Sequence, residues 1–345
     1  MGVKALGLVS GGLDSSLAAK VMLGLGVDVE IVNFSTGFSI IEHTRHIKDP
    51  KEVVDRTERT QRLADELKVK LHTVDISKNY LPVITRPKYG YGGNVNPCVD
   101  CRIYVFKQAK VLMEKLNARF IFSGEVLGQR PMSQHRDAMK NVETESGMTG
   151  LVLRPLSARL LDPTIPEVKG WVDRSKLFAF TGRSRKPQME LAKQLGLDDC
   201  PQPAGGCCYL TDSNYATKLR DIFDHNGKES LTFEDTALLK VGRHFRVSEN
   251  IKVIVGRNER ENNFLMGHEK GKHVFRIHDF PSAHVLAEIK NALGPEDLML
   301  LASIAARYSD GKDRARVVVE HQHENHTQLV EAAPIEESRL EAWRI

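Results

Sequence analysis

The chain has 345 residues, 41% hydrophobic and 27% charged, with a formal net charge of +4. This is enough apolar material for two or three cored domains, and it excludes a disordered or collagen-like chain. No run approaches the ~20 uninterrupted apolar residues of a membrane helix, so no membrane partner is expected.

Residues 3–9 read as a buried strand rather than a leader, which makes the chain cytoplasmic by expectation. The strand ends in Ser10-Gly11-Gly12, a glycine turn. Apolar residues then recur at helical spacing over 17–25. A second strand is expected over 29–34, a helix with a charged outer face over 50–67, and a third strand over 71–76. A further amphipathic helix over 101–116 and a strand over 119–123 follow. Strands alternating with helices of this length predict a parallel sheet covered on both faces, with ligands at the carboxyl ends of its strands.

From residue 150 the pattern is mixed and punctuated by proline, with helical stretches near 171–180 and 188–195 and a Pro/Gly/Cys-rich loop over 198–209. Short strands at 245–247, 251–255, 273–277 and 317–319 then accompany helices at 283–293 and 296–308, the mark of a separate, smaller α+β domain. The expected division is 1–149, an adaptor at 150–213, a second domain at 214–330 and a polar tail at 331–345. His321, His323 and His326 fall near this end and read as solvated. Between residues 102 and 194 there are 17 Lys/Arg against 9 Asp/Glu, a basic excess that suits a nucleic-acid partner.

Ser10, Gly11, Gly12, Leu13, Asp14, Ser15 and Ser16 join the first strand to the first helix. Two glycines let the backbone approach phosphate oxygens, successive N–H groups form an anion nest, and the helix adds the positive end of its dipole. The serines can donate hydroxyl hydrogen bonds, and Asp14 can hold the turn or help bind Mg2+. There is no Walker-type lysine. This string resembles the PP-loop of the N-type ATP pyrophosphatases, which cleave ATP to AMP and pyrophosphate while adenylating a carbonyl oxygen. The resemblance implies a HUP-like parallel-sheet domain. It also implies that adenine is read by the second strand's end, at Asn33 and Phe34, and that Gly124 and Glu125 contact the nucleotide.

Five cysteines in a reducing compartment point to metal binding or catalysis rather than cross-links, and they fall in two groups: Cys98 and Cys101, then Cys200, Cys207 and Cys208. Asn96-Pro97-Cys98-Val99-Asp100-Cys101, Gly206-Cys207-Cys208-Tyr209-Leu210 and Leu153-Arg154-Pro155-Leu156 resemble motifs of the bacterial tRNA 2-thiouridylases, over roughly residues 1–212. The match makes Cys101 and Cys208 the paired functional thiols, with Asp14 on the phosphate loop. Cys98 stands where the disulfide-type enzymes have an aspartate. Cys98, Cys101 and Cys208 together resemble the ligand set of thiolases that carry a [4Fe-4S] cluster. Zinc is the lesser alternative, with Cys207 or Cys200 as fourth ligand. Arg130 and Gln134 are expected to face the nucleotide or target base, and Arg183, Arg185 and Lys186 to suit RNA phosphates.

Val255-Gly256-Arg257-Asn258 and Ala306-Arg307-Tyr308-Ser309 resemble the RNA-binding domain of NFACT-family proteins. The expected activity is ATP-dependent thiolation of a tRNA uridine. The expected partners are tRNA and a sulfur donor (free sulfide or a cysteine desulfurase relay), with a homodimer as one assembly open to the chain. Two rival readings stand beside it: an ATP-dependent amide-forming ligase, and a non-catalytic RNA-binding factor that holds ATP as a ligand.

Overall fold

The computed structural model describes residues 2–39, 56–197 and 208–345. Cys200, Cys207 and the start of the helix expected from residue 50 lie outside them. The chain divides into two compact units, with the boundary between Thr211 and Asp212. Among the described residues no helix is long and apolar enough to cross a membrane.

The first unit is built on five parallel strands, β1 (Lys4–Leu8), β2 (Asp28–Ser35), β3 (Lys70–Asp75), β4 (Phe120–Ser123) and β5 (Val152–Leu153), in the order β3-β2-β1-β4-β5. The order reverses between β1 and β4, which opens a crevice at their carboxyl ends. Side-chain alternation divides the apolar residues between two faces. Ala5, Ile31, Phe120 and Phe122 pack with α1 (Leu13–Gly24), α2 (Arg56–Leu67) and α5 (Lys186–Gln194) through Leu17, Met22, Leu63 and Leu191. Leu6, Leu8, Val32 and Ile121 pack with α3 (Cys98–Lys115) and α4 (Arg136–Ser146) through Ile103, Phe106, Met113 and Val142. Each fully buried Leu or Phe contributes about 1.5–3 kcal/mol, so both layers are needed. Because β5 belongs to this sheet, the stretch expected as an adaptor is in part the sheet's own edge. The helix expected near 171–180 is only a single turn, Arg174–Lys176.

The second unit is a six-stranded antiparallel sheet in the order β11-β10-β8-β9-β7-β6. Its strands are β6 (Arg243–Ser248), β7 (Ile251–Val255), β8 (His273–Ile277), β9 (Val285–Ile289), β10 (Val317–His323) and β11 (His326–Ala332). One face packs on α8 (Pro295–Arg307) through Leu301, Ala302 and Ala305. The other buries Ile254, Val274 and Leu286 against Leu238, Val241 and Leu265. α6 (Ser213–Asn226) opens this unit, and α7 (Glu259–Met266) follows β7.

Three expectations are corrected here. Residues 283–293 contain the inner strand β9, not a helix. Their Ala, Leu, Glu and Lys favour helix, but Val285 and Ala287 fill one core while Leu286 fills the other, and that context overrides propensity. Residues 331–345 are not a polar tail. Ile335 and Leu340 are buried, and the Trp343 carbonyl accepts from the Arg246 amide at 2.8 Å. Nor is His321 solvated: it lies on β10, buried beside Phe275, and its Nε2 is 2.9 Å from His273 Nδ1.

Candidate active site

The Ser10–Ser16 loop leaves β1 at the point where the sheet order reverses. Gly11 has φ +71°, a left-handed conformation that suits glycine, and Gly12 caps α1. Ser15 Oγ donates to the Gly12 carbonyl at 2.9 Å and accepts the Ser10 amide at 3.3 Å, while Ser16 Oγ also donates to Gly12 O at 3.1 Å. The two helix serines therefore hold the loop closed, which leaves backbone N–H groups and the exposed Ser10 as the loop's donors to an anion.

Gly124, just past β4, lies against this loop. A Cβ there would stand 2.4 Å from Asp14 C and Ser15 N. Only glycine permits the contact that brings the ends of β1 and β4 together. Its neighbour Glu125 is buried at 3% exposure and paired with Arg102 at 3.1 Å and Arg154 at 3.0 Å, with Ser123 Oγ donating at 3.2 Å. Burial raises the Glu125 pKa, but the two guanidiniums outweigh it and hold the carboxyl below its ordinary value. Arg154 also pairs with Glu143. Glu125 is thus an ionised strut tying α3, β4 and the segment after β5, not a side chain turned to the nucleotide.

Asn33 likewise spends its side chain on the fold, donating to Thr60 Oγ1 at 3.0 Å. The polar groups that this strand end leaves toward the crevice are backbone ones. β1 pairs with β2 only as far as Leu8 and Val32, and the Val9 amide closes that edge on Val32 O at 2.9 Å. Two residues on, strand alternation turns the Phe34 N–H and C=O to the edge β1 has vacated. Asn33 and Ser35 face β3 instead, and Ser35 O accepts from Ile76 N at 2.8 Å.

The two cysteine motifs are far apart in sequence and close in the fold. Cys98 opens α3, and the Cys101 amide donates to Pro97 O at 2.8 Å. Asp100 holds the Lys88 and Tyr89 amides. Cys208 begins a turn over Tyr209–Thr211 that is fastened at three points. Tyr209 N donates to Phe38 O at 3.0 Å, Val95 N to Leu210 O at 3.3 Å, and the Asn94 amide to Thr211 O at 2.9 Å. The thiol-bearing turn therefore sits against the segments that follow β2 and precede α3, and all three cysteines are partly buried.

An i,i+3 spacing brings Cys98 and Cys101 to one side of the helix, and the Cys208 turn is fastened to the segment just before it. Among the described residues no three His, Cys, Asp or Glu side chains form a group that could hold a metal ion. Cys200 and Cys207, the other two cysteines, lie outside the described residues.

Asp14 stands differently. Its Oδ2 accepts from Gln129 Nε2 at 2.8 Å, while Oδ1 is buried without a hydrogen-bond partner. A buried, unpartnered carboxylate oxygen beside an anion nest fits a divalent cation that accompanies a nucleotide. Gln134 is buried with Oε1 unpartnered, whereas Arg130 is partly exposed and Arg183 and Lys186 are exposed. Sequence reasoning missed Gln129, whose position among polar residues gave no sign of its bond, and Gln188, which reads as an ordinary helix residue. It also missed Arg59 of α2, which lines a small cavity with Gly11, Ser16 and Leu63.

Comparison with known proteins agrees with this division. Residues 2–159 match the family described as thiamine biosynthesis protein (ThiI), and residues 242–344 match the NFACT protein RNA binding domain. The chain is 27% identical over 232 residues to the tRNA-specific 2-thiouridylase MnmA of Legionella pneumophila, covering 64% of this chain and 58% of that protein. It is 26% identical over 199 residues to a probable tRNA sulfurtransferase of Bacillus licheniformis, covering 55% and 46%. The chain thus spans about half the length of the curated relatives it matches. Among solved structures, a 4-thiouridine synthetase–RNA complex with bound ATP aligns with a TM-score of 0.34 at 19% identity, covering 56% of this chain and 52% of that one.

Proposed function

We propose that this PP-loop, thiouridylase-like chain, with its NFACT-type second unit, adenylates a uridine of tRNA and replaces the activated oxygen with sulfur. The observation that carries the reading is the fastening of the Cys208 turn to Val95 and Asn94, beside the helix that bears Cys101. Thiols from two distant motifs at one end of the sheet support a joint role for Cys101 and Cys208.

In this reading ATP lies with its phosphates on the backbone of residues 10–16 and its adenine against the Phe34 backbone. Asp14 Oδ1 would hold the Mg2+ that neutralises phosphate charge. The uridine carbonyl oxygen attacks the α-phosphorus, the bond to the β-phosphate oxygen breaks, and pyrophosphate leaves with the electron pair. The base carbon now carries AMP, a far better leaving group than a carbonyl oxygen.

Sulfur transfer is assigned to the thiols. An external donor loads Cys208 as a persulfide, whose terminal sulfur attacks the activated carbon and displaces AMP. The Cys101 thiolate then attacks Cys208 Sγ. The S–S bond breaks, the terminal sulfur stays on the base, and a Cys101–Cys208 disulfide remains for an external thiol to reduce. No step runs through a cluster. A target base stacked within a folded tRNA would have to flip out to be reached. The basic excess over residues 102–194 and the NFACT-type unit supply the RNA-binding surface in this reading.

Mass spectrometry of tRNA nucleosides from a strain lacking the protein tests the proposal. One thiouridine should disappear, and it should return with the intact chain but not with Asp14→Ala. An unchanged nucleoside profile would refute it.

A further inference from the structure

Asp14 is the only acidic side chain of the phosphate loop, and its carboxylate is not held by the loop. It is held by Gln129, from the segment after β4, at 2.8 Å. Gln129 is in turn met by Gln188 of α5, whose Nε2 lies 3.4 Å from Gln129 Oε1. Gln129 is 9% exposed and Gln188 1%, so water has little access to replace either bond.

The polarity of this chain is fixed. A carboxylate accepts only, so Gln129 must turn its amide nitrogen to Asp14 and its carbonyl away. If that carboxamide flipped, its oxygen would face the Asp14 carboxylate. Gln188, donating to the carbonyl side, opposes the flip. The donor order therefore runs from α5 through Gln129 to Asp14, and it leaves an unsatisfied buried acceptor at each end, Gln188 Oε1 and Asp14 Oδ1.

We propose that Gln129 and Gln188 are positioning residues that act in series on Asp14, setting the carboxylate that receives the cation of a bound nucleotide. The inference rests on the nucleotide reading given above. Neither residue touches the reacting atoms. Their effect passes through Asp14, so it should be visible in cation-dependent nucleotide binding before any chemistry occurs.

The test is equilibrium binding of α,β-methylene ATP, titrated with Mg2+, to the intact protein and to Gln129→Leu, Gln188→Leu and the double variant. A hydrogen bond to a charged group is worth ~1.5–3 kcal/mol. Gln129→Leu should therefore weaken binding about tenfold or more at saturating Mg2+ and raise the Mg2+ concentration for half-maximal binding. Gln188→Leu should act in the same direction but less. In a serial relay the double variant is no worse than Gln129→Leu alone. Losses that add, or a Mg2+ midpoint that does not move, overturn the relay while leaving ATP binding by the intact protein in place. If the intact protein binds no nucleotide, the relay and the nucleotide reading fall together. Thermal melting identifies a misfolded Gln129→Leu, in which case Gln188→Met, which keeps the buried volume, carries the test.

Discussion

Asn94 donates its side-chain amide to the backbone carbonyl of Thr211 at 2.9 Å, joining positions 117 residues apart. Asn94 also adopts φ 63°, a left-handed conformation that asparagine tolerates better than most residues. One residue thus turns the chain toward α3 and anchors the segment that brings Cys208 back.

That double role separates into two variants. Asn94→Gly keeps the backbone conformation and removes the amide. It should cost about 1 kcal/mol of stability and lower tRNA thiolation, on the scale of the ~10²-fold penalty for a 1 Å misplacement. Pyrophosphate release should be nearly unchanged. If both activities fall in parallel, the bond supports the fold generally and does not align the thiols.

At Gly124 the expected defect is the opposite one. A methyl group would meet Asp14 C and Ser15 N at 2.4 Å, so Gly124→Ala must push β4 away from the phosphate loop. Overpacking of this kind costs about 1–3 kcal/mol. ATP cleavage should be lost before the protein unfolds, which pyrophosphate release measured beside a thermal melt would reveal. Normal cleavage in a folded Gly124→Ala would mean that the nucleotide does not use this end of the sheet.

For the cysteines, Cys101→Ser and Cys208→Ser should each stop thiolation while tRNA-dependent pyrophosphate release continues, and Cys98→Ser should retain part of the activity. Anaerobically purified protein should hold no stoichiometric iron. About four irons per chain, the content of a cubane cluster, would overturn the thiol assignment and require a different arrangement of the three cysteines.

The second unit should weaken in mild acid. Burial lowers the His273 pKa to about 4, helped by His323 and His321 close by. His323 stacks on His273 with ring centroids 3.8 Å apart. The ordinary value is 6.5, so the unfolded chain binds this proton first as pH falls. The stabilisation is complete above about pH 6.5 and is lost progressively toward pH 4. His273→Asn, which retains a polar atom near the Nδ1 position, should flatten the fall in melting temperature across that window. His284, also lowered to about 4 by burial, should leave part of the slope. An unaltered pH profile in His273→Asn would remove the imidazole stack as a cause.

The parallel sheet was legible because its strands are short apolar runs separated by helices of regular period, and the phosphate loop because its glycines and serines are contiguous. That the Phe34 backbone is left open, by the three residues with which β2 outlasts its pairing with β1, is a matter of register that composition does not carry. Asn33 and Glu125 illustrate a different limit. Both stand where the motif expects ligands, yet Thr60, Arg102 and Arg154 occupy their side chains, and partners so distant in sequence leave no local trace. β9 was missed because a strand buried on both faces loses the alternation that identifies strands. The terminal residues were missed because Leu340 and Trp343 are isolated among charged neighbours and give no periodic signal.

The return of residues 208–211 to Phe38 and Val95 also sets an order of events during synthesis. The sheet can close once β5 has emerged, but the thiol-bearing turn cannot dock until Thr211 has left the ribosome. At that moment the residues of the second unit from Asp212 onward have yet to emerge. At ~5–20 residues per second, that takes on the order of ten seconds. A nascent chain would therefore assemble its nucleotide loop first, its cysteine pair second, and the NFACT-type unit last.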